Sequence, residues 1–220
     1  LGVRRLDVAM LSHGDTDHAG GWGAVARAFP VAAPLAPAGR PVPGIGPCPP
    51  GQSWLWAGGR IPVLPPNAWF PYLGNEASCV LKVETAHGSL LLPGDIGAIV
   101  ERGLVHRDAA ALRADVVVLP HHGSAGSSDP TFVAATSPRL VLNSSGAGNR
   151  FGHPRAPVVA RGRARGSELR DTQSSGALRV WVGADGLQVR ERRHDRPRWW
   201  DAVRRQRAGG LHGKGKARCL

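Results

Sequence analysis

The chain has no apolar run approaching the roughly 18 residues that a membrane-spanning helix needs, so these 220 residues are expected to form a soluble domain. Its three cysteines, Cys48, Cys79 and Cys219, are too few for a disulfide framework. Separate buried thiols are expected, with a Cys48–Cys79 bridge as the alternative. Leu1-Gly2-Val3-Arg4-Arg5 contains neither a start methionine nor a signal-peptide pattern, and it opens a few residues before a core strand. That reads as a segment of something longer. No internal repeat is visible. Acidic residues are scarce, 16 against 28 Lys and Arg, and eight of the twelve net positive charges fall from Arg190 onward.

What is present supports one domain with a substantial core, since 42% of the residues are hydrophobic. The domain is expected over residues 1–190, with 191–220 forming a basic tail. That tail carries Trp199-Trp200 and Gly-rich spacing near its end. A disordered, solvated end is one reading of it. A surface for a phosphate backbone and exposed bases is the other.

Residues 30–73 are rich in Pro and Gly and predict a long loop with little regular structure. Within it, Ser53-Trp54-Leu55-Trp56 and Arg60-Ile61-Pro62-Val63-Leu64 predict short paired strands. Strand-like runs follow at Cys79–Thr85, Ser89–Leu92, Asp115–Leu119, Arg139–Leu142, Ala177–Val182 and Leu187–Arg190. Hairpin turns are expected at His87-Gly88 and Asp185-Gly186. Helices fit at about 98–112, 129–136 and 155–165. Val116-Val117-Val118-Leu119 is apolar without alternation, as in a strand covered on both faces. The order predicts a layered α/β fold.

His13-Gly14-Asp15-Thr16-Asp17-His18 places two imidazoles and two carboxylates in one stretch straight after the apolar run Val8–Leu11. Trp22, Val25, Ala26 and Phe29 continue at helical spacing. A strand running through a tight loop into a helix can aim four side chains at one point. Neutral imidazole and carboxylate oxygen bind divalent first-row metals without thiolate. Four further clusters sit where strands end: Leu92-Pro93-Gly94-Asp95, Leu119-Pro120-His121-His122-Gly123-Ser124, Asn149-Arg150-Phe151-Gly152-His153-Pro154, and Asn75-Glu76-Ala77-Ser78. Gly-Asp alone is a common turn, a lone histidine is usually structural, and Asn75–Ser78 is the better fit to loop capping.

Taken in order, His-x-Asp-x-Asp-His, Gly-Asp, His-His-Gly-Ser and Gly-His-Pro resemble the metallo-β-lactamase superfamily. More narrowly, they resemble the C-terminal hydrolase domain of ComEC-type competence proteins, which take up DNA. The resemblance runs from about Leu6 to Val182 and includes Gly51-Gln52-Ser53-Trp54-Leu55-Trp56, Asn75-x-x-Ser78 and Ala114–Ser124. It implies an αββα sandwich whose N-terminal strands are missing here. The superfamily's usual His-x-His-x-Asp-His has Asp15 in place of its second histidine. Such a hard carboxylate favours manganese over a zinc-only site.

The resemblance further implies a phosphodiesterase or nuclease acting on DNA through two divalent cations, Mn2+ favoured and Zn2+ the alternative. His13 and Asp15 would hold one cation, Asp17 and His18 the other, with Asp95 between them. One of His121 and His122 would complete the second site, His122 aligning better. His153 would be a ligand or the group that protonates the leaving oxygen, so Asp17, Asp95 and His153 are the candidate catalytic residues. Ser124 and Asn149 are candidate substrate contacts, and Arg161, Arg163 and Arg165 would hold a polyanion. The expected partners are DNA and the membrane channel part of a ComEC-type protein, which is absent from this chain. In such a protein the domain sits at the bacterial inner membrane. The alternatives are a small-molecule metallohydrolase acting on a thioester or lactam, and a catalytically dead DNA-binding fragment.

Overall fold

The computed structural model describes residues 2–37, 44–48, 51–64 and 74–201. Strand β1 (Leu6–Met10) runs through a short loop into helix α1 (Thr16–Ala19), then α2 (Trp22–Ala28) and strand β2 (Val31–Ala36). A parallel pair needs a crossover between its strands. The two helices supply it, bringing β2 alongside β1 with Leu6 opposite Val31 and Met10 opposite Leu35. The two-residue β3 (Gly46–Pro47) adds a third parallel strand beside β2.

A second sheet holds seven strands. Its antiparallel half is the hairpin β4 (Ser53–Trp56) and β5 (Gly59–Leu64), followed by β6 (Val80–Thr85) and β7 (Gly88–Leu92). Its parallel half continues through α3 (Ala98–Asp108), β8 (Val116–Val118), α4 (Pro130–Thr136), β9 (Leu140–Asn143), α5 (Ala156–Arg163) and β10 (Glu168–Asp171). Helix α4 starts where its sequence says it should. Pro130 is at its first turn, and the Asp129 carboxylate accepts from the Thr131 amide at 2.9 Å. The short helix α6 (Thr172–Ser175) leads into a separate hairpin, β11 (Leu178–Gly183) and β12 (Gly186–Glu191), and then α7 (Arg192–Asp195).

The core lies between the second sheet and its helices. Val100 and Leu104 of α3 and Phe132 of α4 pack on Val80, Leu91 and Val117 of the sheet. Val158 of α5 packs on Leu119, Val141 and Leu169. Each such buried side chain contributes on the order of 1.5–3 kcal/mol. This is the mixed α/β fold with central sheets that the strand and helix order predicts. Both expected hairpins form, with closing pairs Thr85–Gly88 and Gly183–Gly186. Cys79 is buried and Cys48 half-buried, and both thiols are free.

Three expectations need correction. Residues 30–73 hold more order than a long loop with one strand pair: the expected pair forms as β4–β5, and β2 and β3 lie there as well. The run Val31-Ala-Ala-Pro-Leu-Ala has weak strand propensity, and pairing with β1 overrides it. Strand β10 was not anticipated: the polar Glu168-Leu169-Arg170-Asp171 shows no apolar run, yet it extends the parallel ladder beside β9. The order also continues past residue 190. The Arg193 guanidinium donates to the Thr172 carbonyl at 3.4 Å and to that of Gln173, tying α7 to α6. Residues 202–220 of the expected tail lie outside the described residues.

Candidate metal centre

Three strand ends and the helix α1 converge on one point. The loop after β1 brings His13, and α1 brings Asp17 and His18. The turn after β7 brings Asp95, and the turn after β8 brings His121 and His122. The β7 turn works because Gly94 takes φ +63° and lets Asp95 fold back beneath Ser78. The β8 turn is more strained. His121 and His122 take φ +49° and +54°, followed by Gly123 at +79°. Left-handed backbone at a residue with a side chain costs on the order of 1–3 kcal/mol and is found where function over-determines it. Here the turn is held by His121 N–H donating to the Gly94 carbonyl at 3.1 Å and by Arg155 N–H donating to that of Gly123 at 2.9 Å.

The donor atoms of Asp17, His18, Asp95 and His122 all lie within 4.8 Å of one another. His18 Nε2 is 3.2 Å from His122 Nε2 and 3.2 Å from Asp95 Oδ1. His122 Nε2 is 3.3 Å from Asp17 Oδ2 and 3.5 Å from Asp95 Oδ2, and His18 Nε2 is 3.8 Å from Asp17 Oδ2. Donors about 2.1 Å from a tetrahedral metal stand about 3.4 Å apart, so these spacings match the edges of a coordination shell. His13 adjoins this cluster, its ring centroid 4.1 Å from that of His18 and its Nε2 4.0 Å from Asp95 Oδ2 and 3.7 Å from Asp15 Oδ2. It is only 2% exposed, and its Nε2 has no hydrogen-bond partner among the described residues. Such a buried nitrogen costs about 1–3 kcal/mol unless something satisfies it. A cation would.

The imidazoles are aimed by their other nitrogens. His122 Nδ1 lies 2.6 Å from the Ser144 carbonyl, which can only accept, so Nδ1 carries the proton and a neutral ring turns the lone pair of Nε2 inward. Ser12 Oγ lies 2.8 Å from His18 Nδ1 and 3.2 Å from His13 Nδ1. Ser78 donates to the Asn75 carbonyl at 2.7 Å and accepts from the Asp95 amide at 3.1 Å. It therefore ties the loop before β6 to the Asp95 turn. Burial, and then the neighbouring His18, lower the pKa of His13. The hydrogen bond to Asp95 raises that of His18. Burial alone would raise Asp95, but its hydrogen bond to His18 and the charges of His18, His122 and His121 outweigh that and hold it below its usual range.

A cleft of about 560 Å³ opens beside the cluster. Asn75, His121, Asn149, Phe151 and His153 form its walls, together with Ser144–Gly146 and Thr172. His121 Nε2 accepts from Asn75 Nδ2 at 3.3 Å, and its ring centroid is 6.0 Å from that of His153. Of the adjacent pair, His122 is therefore in the donor cluster and His121 faces the cleft. His153 is a cleft residue rather than a member of the cluster. Burial, followed by His121, lowers its pKa. Asn149 holds the loop, its Nδ2 donating to the His153 carbonyl at 2.7 Å and its Oδ1 accepting from the His153 amide at 3.0 Å.

Ser124, Arg161, Arg163 and Arg165 do not line this cleft. The Ser124 hydroxyl accepts weakly from Gly126 N–H at 3.4 Å within its own turn. The Arg161 guanidinium donates to the carbonyls of Ser127 and Ser128 at 3.2 and 2.9 Å, pinning the loop before α4. Arg163 and Arg165 are exposed on and after α5. Sequence reasoning also missed Ser12, Ser144 and Gln173, whose amide donates to the His153 carbonyl at 2.5 Å. Ser144 acts through its main-chain carbonyl, which leaves no mark in the sequence.

Comparison with known proteins adds to this geometry. Residues 1–140 match the metallo-beta-lactamase superfamily. The chain is 38% identical over 192 residues to competence protein ComA of Neisseria gonorrhoeae, covering 87% of the chain and 28% of that protein. It is 30% identical over 203 residues to recombination protein 2 of Haemophilus influenzae, covering 90% of the chain and 25% of that protein. It thus spans about a quarter of the length of these relatives. Among solved structures, CmlA, a diiron β-hydroxylase from Streptomyces venezuelae, superposes with a TM-score of 0.52 at 13% identity. That match covers 86% of this chain and 45% of CmlA, a likeness of fold.

Proposed function

The chain belongs to the metallo-β-lactamase superfamily, and we propose that it is a metal-dependent hydrolase that cleaves phosphodiester bonds of DNA during competence-linked uptake. The observation that carries this is the Asp95 carboxylate. Its Oδ1 lies 3.2 Å from His18 Nε2, and its Oδ2 lies 3.5 Å from His122 Nε2 and 4.0 Å from His13 Nε2, so it is within reach of the Asp17, His18 and His122 donors and of the His13–Asp15 pair alike. That donor set of imidazole and carboxylate fits two divalent cations, with Mn2+ favoured by the oxygen share and Zn2+ the alternative. When bound, the cations would neutralise the charge that builds on a phosphodiester during hydrolysis.

The remaining roles belong to the protein. Asp17 and Asp95 fix the negative charge that retains the cations. Ser12 and the Ser144 carbonyl orient the imidazoles. His121 and Asn75 offer polar contacts in the cleft wall, and Asn149 keeps the 149–153 loop in shape. His153 faces the cleft with a lowered pKa, so its imidazolium gives up a proton readily to a departing oxygen.

Supporting the substrate class are the net charge of +12 and the named relatives, a competence protein and a recombination protein. No helix among the described residues is long and apolar enough to cross a membrane. In this reading the domain works beside the membrane channel part of a longer ComEC-type protein, at the bacterial inner membrane. The test is metal analysis of the purified chain coupled to a nuclease assay across Mn2+, Mg2+ and Zn2+. Mn2+-dependent cleavage of DNA that Asp17→Asn abolishes is the expected result. Undiminished cleavage by Asp17→Asn would remove the assigned centre.

A further inference from the structure

The hairpin β11–β12 has two faces. Leu178, Val180, Val182, Leu187 and Val189 are half-buried, and Val182 lies over Gly88 at the start of β7. The alternate positions, Arg179, Trp181, Gln188 and Arg190, are exposed, as period-two alternation requires. Trp181 is 41% exposed, its indole presented to solvent on this face. The guanidinium carbons of Arg179 and Arg190 lie 5.8 and 5.7 Å from its ring centroid. Arg179 and Arg190 are also direct cross-strand partners. Like charges placed directly opposite destabilise a hairpin. Elsewhere arginines meet carboxylates, as in Arg60–Glu84, Arg102–Asp129 and Arg170–Glu191. Neither Arg179 nor Arg190 has a carboxylate within 4.0 Å among the described residues, although Asp185 lies in the same hairpin's turn.

We infer that this face is a docking platform for single-stranded nucleic acid, with a base stacking on Trp181 and adjacent phosphates held by Arg179 and Arg190. An exposed indole between two uncompensated guanidinium groups meets both halves of that ligand. The ring takes any base face, and the cations take the backbone. A shallow depression of about 450 Å³ bordered by Trp181, Gly183, Asp185, Gly186, Gln188 and Arg190 gives it room. The Arg179–Arg190 pair is one step from the hairpin's root, which follows directly on α6, whose Thr172 lines the catalytic cleft. The platform deepens the DNA-hydrolase reading and rests on it only for the choice of partner.

The experiment measures binding of a fluorescent oligonucleotide, single-stranded or duplex, to the full chain with a chelator present. Trp181→Ala should weaken single-strand binding by roughly tenfold, Trp181→Phe should restore most of it, and duplex binding should change little. Arg179→Ala/Arg190→Ala should reduce the slope of log affinity against log salt by about 1.4, at roughly 0.7 per phosphate contact on a single strand. Single-strand affinity unchanged in Trp181→Ala, equal losses on duplex, or an unchanged salt slope would each overturn the platform. So would binding of a polyglutamate peptide as strong as that of the single strand. Hydrolysis of bis-p-nitrophenyl phosphate, too small to reach the hairpin, reports the metal centre separately. Its absence would count against the hydrolase and leave the binding result intact.

Discussion

Gly94 is where the fold and the centre meet, and Gly94→Ala tests how tightly. The residue sits at φ +63°, which costs a side-chain-bearing residue about 1–2 kcal/mol. An added Cβ would stand 2.8 Å from Ser78 Cβ, 3.0 Å from Ser12 Cβ and 3.0 Å from Ser78 Oγ. None of these atoms is the loose end of a long side chain. Ser12 is fixed by its carbonyl accepting from Cys79 N–H at 2.9 Å and by its hydroxyl on His18, and Ser78 by Asn75 and the Asp95 amide. Overpacking of this kind adds about 1–3 kcal/mol, so the variant should lose about 2–5 kcal/mol of stability in urea unfolding. The same push moves the two hydroxyls that orient His13, His18 and Asp95. Mn2+ affinity, read by calorimetric titration, should therefore fall about 10- to 100-fold, as for loss of outer-shell support. Ser78→Ala is the milder companion. It strands the Asp95 N–H without a clash and should cost about 1–3 kcal/mol. Wild-type stability and Mn2+ affinity in Gly94→Ala would refute the claim that the two serine hydroxyls are held without slack.

Two further outcomes follow from groups outside the cleft. Glu101 is fully buried on α3, where its carboxylate accepts from the Ser128 and Asp129 amides at 2.7 and 2.5 Å. Burial pushes its pKa up to about 7 from an ordinary 4.5. The folded form then binds more protons than the unfolded chain between these values. Stability should fall by roughly 3 kcal/mol as pH rises through that window. In Glu101→Gln that slope should vanish from the pH dependence of the urea midpoint, and a slope equal to wild type would exclude Glu101 as its source. Arg161→Ala should cost about 1–2 kcal/mol through its two lost carbonyl contacts and leave the salt dependence of DNA binding unchanged. A salt slope lowered by about 0.7 in that variant would instead make Arg161 a phosphate contact.

The first motif was legible because few residue types bind a divalent cation, and four of them in six positions are hard to place otherwise. Asp95 and His122 were legible for a related reason. Each follows an apolar strand, and strand ends are where a layered fold exposes polar groups. The strands themselves were less uniform. Val116-Val117-Val118 announces a covered strand, whereas Glu168-Leu169-Arg170-Asp171 becomes one only because β9 offers it a free edge. Similarly, Pro34 hides β2 until β1 is beside it. Arg161, read as a polyanion contact, shows the opposite failure. Its charge was visible, but the carbonyls of Ser127 and Ser128 that take its donors were not.

What stayed out of reach at the centre has one physical cause. The inward lone pair of His122 Nε2 is set by a carbonyl at position 144, which any residue would have supplied. The left-handed turn at 121–123 is held by the Gly94 carbonyl and the Arg155 amide, again main-chain groups. Side chains that bind or move charge are chemically rare and advertise themselves in a sequence. The groups that aim them are drawn from the backbone that every residue carries, and only the folded arrangement distinguishes one carbonyl from the next. Substitutions at Ser144 should accordingly be tolerated wherever the backbone path is kept, while substitutions at Gly94 should not.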